Sequence, residues 1–463
     1  MNIKRISKLK TFPIILLSFL ILLHVVVLLK LMFFPYPEFF VYPYLTNNGL
    51  KPYAQILDQH FPGLMFLPIN FDNLGMNSEL EARVWLIGVV IITQLLLFIV
   101  ARLIFKNNYK ALIANALYLT WQPFFEGFVF WIDNLMPLFS LSGFYFVYKY
   151  SFEKQKNIYL LMAGLILGTG VVFKQTFIPL TVLIAFYLLW KTRSFKNVSI
   201  FSFISAVPIT LTSLYYLSQN IFNDFWYWTV TFNLTAYSKF GLQVERPLGY
   251  FTRILLVFGT SFLSVFSNRK KELVLLGVFF MGSIFGSFDR LDFVHLQPVL
   301  PFAILTTVMG FEAIFVRKYF RLFIFAYIFI SLWWLGVFYK GHISEKVLFF
   351  DESTKKLAGK IMENTNKGEK IFVFGAAPHL YQMSNTLPAG GVFVFQFPWF
   401  TRIAEDRILD GLKKDKPNII VYDSNPKFND QHITEYMSKT NEYIIKNYHV
   451  FDQVGDTKIM RKN

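Results

Sequence analysis

Apolar residues run in long stretches through the first three quarters of the chain and alternate in short segments only in the last quarter. The first run, Thr11 to Phe34, follows Lys4, Arg5, Lys8 and Lys10. It exceeds the roughly 20 residues that cross a bilayer as a helix, and no small-residue cleavage site follows it, so it reads as a retained first span. Further apolar runs lie near 84–105, 110–131, 135–150, 157–173, 175–190, 197–218, 248–267, 272–288, 293–316 and 320–340. Together they predict a bundle of about eleven helices, several of them near the lower limit of about 17 residues for a spanning helix.

The polar interruptions order these runs. Alternation from a cytoplasmic N-terminus places Lys106 and Lys110, then Lys149, Lys154 and Lys156, then Lys191, Arg193 and Lys196 inside. Arg269, Lys270 and Lys271 follow on that side, and then Arg317, Lys318 and Arg321. The outer loops hold fewer basic residues: Lys51, Arg83, Lys174, Lys239, Arg246 and Arg290. This bias agrees with the positive-inside rule. It also decides the stretch from Ile158 to Trp190. One long tilted helix there would put every later basic cluster outside, so two short helices turning at Lys174 and Gln175 are expected.

An odd number of spans leaves two large outer features, a first loop over 35–83 and a tail over 341–463, with 1–340 as the transmembrane domain. The tail reads as a small extracytoplasmic α/β domain. A helix from Ser344 to Asn364 leads through Lys367-Gly368-Glu369 into a strand Lys370 to Phe374. A helix from Ala404 to Lys414 leads through Lys416-Pro417-Asn418 into a strand Ile419 to Tyr422, and this alternation favours a parallel sheet.

Composition agrees with a lipid environment: 54% of residues are hydrophobic and 16% charged, against the roughly 25% charged of soluble domains. The 56 phenylalanines suit lipid and identify no aromatic binding site. The net charge of +16 is dispersed between apolar runs and no nucleic-acid-binding motif accompanies it, so nucleic acid is not the partner. The absence of cysteine excludes disulfides, thiolate chemistry and Cys-based metal sites.

Chemistry concentrates at the outer boundary. Glu38 follows the exit of the first span, where an apolar setting suits a carboxylate to proton abstraction; the alternative is a partner for lipid headgroups or an arginine. Asp58 and His60, two apart before Pro62-Gly63, aim together in an extended segment and either bind a phosphate, hydroxyl or divalent ion, or satisfy loop backbone. Lys174 and Gln175 sit between apolar walls, where a lysine snorkels or meets an anion such as phosphate. Asp289, Arg290, Asp292 and His295 form another cluster, in which Arg290 either clamps a phosphate or pairs with a neighbouring aspartate while Asp292 starts a helix, and Asp133 beside Asn134 is a further candidate. No P-loop, dinucleotide glycine pattern, His-Glu-x-x-His or Gly-x-Ser-x-Gly is present.

The order of these elements resembles that of the GT-C-fold glycosyltransferases of the protein O-mannosyltransferase and aminoarabinose-transferase type, over nearly the whole chain. Glu38, Gly49 to Tyr53 and His60 to Gly63 resemble the family's first-loop pattern. Gly164 to Gln175 is similar to its glycine-rich helix ending in Lys-Gln, and Phe288 to Pro301, with Arg290, His295 and Pro298, to its Arg-x-x-x-x-His-x-x-Pro element. Gly375, Pro378, Tyr381 and Pro388 resemble the outer domain of bacterial members.

The resemblance implies transfer of a sugar from a polyprenyl-phosphate donor to a glycan, lipid or protein acceptor on the outer face of a plasma membrane, with a first-loop acid as base. The family usually has Asp where this chain has Glu38, so either Glu38 serves or Asp58 takes the role. Tyr53, His60, Asp133, Lys174, Gln175, Arg290 and His295 are the substrate-binding candidates, with Lys174, Arg290 and His295 to stabilise the departing phosphate. No cofactor is required, and a divalent metal, used by some of the wider superfamily, stays open. Two rival readings are a transporter or flippase for lipid-linked saccharides, which would show two comparable halves with broken helices, and a non-catalytic subunit with the same fold.

Overall fold

The computed structural model describes residues 3–153, 155–240, 248–287, 292–315, 320–428 and 430–463. Asp289 and Arg290 lie outside them, as do Lys154, Arg246, Arg317 and Lys318 of the basic clusters. The chain forms two compact units. The first comprises Met1–Phe34, Arg83–Leu211 and Val244–Lys346, the second Pro35–Ala82, Thr212–Gln243 and Val347–Asn463. The first outer loop therefore belongs to the same unit as the tail, a grouping that the sequence division at residue 341 does not contain.

A helix meets each apolar run: α1 Ile3–Lys30, α2 Glu79–Phe105, α3 Asn108–Phe124, α4 Ile132–Tyr148, α5 Asn157–Phe173, α6 Ile178–Thr192, α7 Phe195–Ser218, α8 Leu248–Phe258, α9 Lys270–Phe285, α10 Leu300–Ile314 and α11 Phe320–His342. Among the described residues six helical segments are long and apolar enough to cross a bilayer: Phe12–Lys30, Glu79–Phe105, Gln175–Thr192, Phe195–Ser218, Leu248–Phe266 and Leu322–His342. Asn157–Phe173 and Leu300–Ile314 are shorter apolar helices. The protein is thus a multi-pass membrane protein. Side chains such as Phe203, Phe329 and Leu322 stand exposed on these helices, which lipid accommodates and water would not.

Two interruptions shape the first unit. α5 stops at Phe173 because Lys174 is extended (φ −152°, ψ 117°); a 3-10 turn, Gln175–Phe177, and Pro179 in the first turn of α6 restart the helix. The stretch from Ile158 to Trp190 is therefore two helices. Gly164 and Gly168, one turn apart on α5, let α7 approach so closely that a Cβ would lie 2.9 Å from the Phe201 carbonyl and 2.2 Å from that of Ser205. The second interruption shortens the predicted 110–131 run. α3 ends at Phe124, directly after Pro123, and the chain turns through Glu126 in the left-handed region (φ 59°). A Cβ on Gly127 would meet the end of the Gln122 side chain at 2.2 Å, so a larger residue there would displace that amide.

The bundle core also carries amides. His24 of α1 donates from Nε2 to Gln122 Oε1 (3.0 Å) and accepts at Nδ1 from Gln94 Nε2 (3.0 Å), while Asn115 Nδ2 donates to the Gln94 carbonyl (2.7 Å). All four side chains are fully buried, and mutual bonding is what makes that tolerable in an apolar interior.

In the second unit a five-stranded sheet is built from β1 Lys370–Phe374, β2 Leu387–Pro388, β3 Ile419–Tyr422, β4 Tyr448–Val454 and β5 Thr457–Lys462, in the order β4-β5-β3-β1-β2. β1 pairs parallel with both β2 and β3, as its nearly continuous apolar content requires for a strand covered on both faces, and β5 runs antiparallel to β3 and β4. The helix before β1 is α12, Glu352–Asn364; it starts later than Ser344 because Asp351 caps it, accepting from the Thr354 N–H at 2.8 Å. α13, Pro398–Asp415, precedes β3, and α14, Ser438–Asn447, precedes β4. The first loop joins this unit through the Glu38–Asn47 helix, seven of whose residues are buried, and through parallel pairing of Ile56–Leu57 with Phe393–Val394.

Candidate active site

The candidate residues fall into two groups, one in each unit. In the second unit Glu38 is the first residue of the Glu38–Asn47 helix and is 8% exposed. A carboxylate in a first helical turn is favoured by the unpaired backbone N–H groups there. One turn on, Tyr42 is fully buried and donates its hydroxyl to Asp58 Oδ2 at 2.5 Å. Burial first, then the charges of Asp58 and Glu38, push the Tyr42 phenol well above its ordinary range, so it stays a donor. Asp58 Oδ1 accepts from the His60 backbone N–H (2.7 Å) and from His60 Nδ1–H (2.8 Å). Asp58 is 2% exposed, and both its oxygens are engaged.

Tyr53 closes this loop. Its hydroxyl donates to the His60 carbonyl at 2.9 Å, its φ is 62°, and its ring stands edge-on to Tyr216 at 5.4 Å. From the other side, Asn233 Nδ2 donates to the Gln59 carbonyl at 2.9 Å. Asp58, His60 and Tyr53 are thus brought together as one hydrogen-bonded loop, with Glu38 adjoining it through Tyr42 on its own helix.

In the first unit Lys174, Asp133 and His295 come together. Lys174 Nζ donates to Asp133 Oδ1 at 2.5 Å, and His295 Nε2 stands 3.7 Å from Asp133 Oδ2. The Lys174 side chain is 10% exposed and Asp133 fully buried, so the pair is a desolvated one. The break between α5 and α6 presents the lysine; the first turn of α4 presents Asp133. Gln175 begins the 3-10 turn next to Lys174.

His295 is fixed more firmly than the sequence shows. Asp292 Oδ1 accepts from its backbone N–H at 3.2 Å and also from its ring Nδ1, and Ser287 Oγ donates to its carbonyl at 2.6 Å. Nδ1 being given to Asp292, Nε2 is the nitrogen turned to Asp133. Three residues near it escape a reading of the sequence: Ser287, Glu126 and Gln297. Glu126 lies within a predicted apolar helix, and only the Pro123 and Gly127 around it signal a corner. Burial, reinforced by the Asp292 charge and opposed by Arg253, pushes Glu126 up to about 7. Among the described residues no set of three or more His, Asp or Glu converges as metal ligands.

Residues 60–216 match the model of the dolichyl-phosphate-mannose-protein mannosyltransferase family, a segment that includes Asp133 and Lys174. No curated protein matches the chain in sequence. Among solved structures, ArnT from Cupriavidus metallidurans bound to undecaprenyl phosphate superposes with a TM-score of 0.67 at 11% identity, covering 97% of this chain and 98% of that one. Its apo state gives 0.64 over 98% of both chains at the same identity. The archaeal oligosaccharyltransferase AglB from Archaeoglobus fulgidus, in complex with an inhibitory peptide and a dolichol-phosphate, gives 0.56 at 11% identity over 98% of this chain and 74% of that one.

Proposed function

We propose that this membrane protein, which has the GT-C fold, is a glycosyltransferase that moves a sugar from a polyprenyl-phosphate donor to an acceptor hydroxyl at the outer face of the plasma membrane. One observation carries the reading. A lysine ammonium, desolvated at a break between two apolar helices, stands in a fold shared almost end to end with a protein that binds undecaprenyl phosphate. The ammonium is already paired with the Asp133 carboxylate, and a lipid phosphate reaching this depth would be a second anion sharing it.

In the reaction the Glu38 carboxylate takes the proton of the acceptor hydroxyl, whose oxygen attacks the anomeric carbon. The bond from that carbon to the phosphate oxygen breaks, and the electron pair leaves on polyprenyl phosphate, with inversion at the sugar. Lys174 and His295 meet the charge developing on the departing phosphate, with Arg290 as a further cation. Asp133 holds Lys174 in place. Asp58 is the anchor of the first loop rather than the base, because both of its oxygens already accept hydrogen bonds. The scheme draws on no metal.

The test is transfer of radiolabelled sugar from a panel of polyprenyl-phosphate donors by purified protein in detergent, with and without EDTA, comparing wild type, Glu38→Gln and Asp58→Asn. Transfer abolished in Glu38→Gln but retained by folded Asp58→Asn is expected. Loss in Asp58→Asn alone reverses the two roles. A folded wild type that transfers nothing from any donor to a broad acceptor pool removes the enzyme reading and favours a transporter or a subunit.

A further inference from the structure

The corner after α3 is built more strictly than a link between two helices requires. Glu126 takes a left-handed conformation that residues with a side chain seldom adopt, and a Cβ on Gly127 would displace the Gln122 amide that bonds there. The corner bonds to the segment that carries His295. Glu126 Oε2 accepts from the Val294 N–H at 3.2 Å, a donor in the first turn of a 3-10 helix with no helical partner of its own. Gln297, fully buried, donates both hydrogens of its amide to carbonyls at the end of α3, those of Gln122 at 2.9 Å and Phe125 at 2.7 Å.

The corner is itself held from behind. Gln122 donates to the Gly127 carbonyl at 3.1 Å while accepting from His24. The Arg253 guanidinium lies between the rings of Phe124 (4.0 Å) and Phe293 (3.9 Å), joining the last turn of α3 to the residue before Val294.

We propose that Glu126 and Gln297 are positioning residues that mount the 292–297 segment on the end of α3, so that His295 Nε2 stays beside the Asp133–Lys174 pair where the leaving phosphate develops charge. This rests on the function proposed above. Neither residue contacts the pair; both act through the placement of His295, and displacement of a charged contact by about 1 Å costs up to about 100-fold in rate.

Gln297→Glu keeps the size of the side chain and loses the donor; Glu126→Ala loses the acceptor. Each is made alone and with His295→Ala in the full-length protein, with the thermal midpoint as the control for folding. The expected result is a kcat lowered about 10- to 100-fold at a nearly unchanged donor KM, and no further loss when the change is added to His295→Ala. An equal loss in the presence and absence of His295, or none at all, overturns the proposal.

A second readout does not depend on transfer: the rate at which diethyl pyrocarbonate modifies His295, followed by mass spectrometry of its peptide. Loss of the mount raises that rate about twofold or more, since local opening exposes the ring. A wild type without transfer activity removes the assigned reaction, and the modification rate still decides the mount: faster in both variants supports it, unchanged overturns it.

Discussion

Replacing Tyr42 with phenylalanine removes one oxygen from a fully buried ring and leaves Asp58 Oδ2 without the donor that stands 2.5 Å away. A hydrogen bond to a charged group contributes about 1.5–3 kcal/mol. His60 supplies no substitute, because its N–H and Nδ1–H are both directed at Oδ1. The loss expected is therefore about 2 kcal/mol, which for a unit of this size lowers the thermal midpoint by about 4–8 °C. Unfolding of the full-length protein in detergent, followed by intrinsic fluorescence with hydrogen exchange over 35–60, measures it. Tyr42→Phe combined with Asp58→Asn should fall well short of the sum of the single changes, since both remove the same bond. Folded Tyr42→Phe protein should retain most of its transfer rate, because Asp58 serves as an anchor. A variant as stable as wild type, or strict additivity in the double change, refutes the assignment of Asp58.

Lys174→Met leaves the Asp133 carboxylate buried with only His295 beside it, at a cost of up to about 3–5 kcal/mol; Asp133→Leu added to it should restore most of the thermal midpoint while transfer stays absent, which separates the structural part of the pair from its chemical part. His379 in the second unit is fully buried, donates from Nε2 to the Phe349 carbonyl at 2.8 Å, and is held by burial at about 4, below its ordinary 6.5. Its folded form binds fewer protons than its unfolded form, so this contribution is present above pH 6.5 and is lost as pH falls from 6.5 towards 4, by about 3 kcal/mol. Hydrogen-exchange protection over 371–381 should drop through that window in wild type and stay level in His379→Gln, which keeps a donor for Phe349.

What the sequence made legible was local. The strands Lys370–Phe374 and Ile419–Tyr422 and the helix Asn157–Phe173 stand where the apolar pattern puts them, because each is a continuous apolar run with strong punctuation beside it. Lys174 breaks its helix as expected, since a lysine between two apolar runs leaves only one place for the turn. The hairpin Tyr448–Val454 and Thr457–Lys462 was signalled only by Gly455-Asp456 between alternating residues, a weak cue. Hydrogen bonds between distant residues were not legible at all. Nothing in the order of residues says that Tyr42 meets Asp58, that Gln297 meets the end of α3, or that Glu126, set in an apolar run, closes a corner rather than continuing a helix. Such contacts depend on how elements pack, which periodicity does not encode.

The second unit is assembled from three stretches far apart along the chain, which leave the ribosome one after another. Until Val347–Asn463 emerges, the Glu38 helix lacks the groups that cover it: Phe350 against Phe40 at 4.8 Å, and the Thr386 carbonyl that receives the Tyr44 hydroxyl. Its apolar side chains must wait, exposed, while the bundle is inserted. The nascent protein therefore carries an unfinished surface until that last stretch has emerged. A chain stopped short of residue 347 loses the support of Glu38 and Asp58 as well as its tail, so a premature stop late in the gene is expected to be as damaging as an early one.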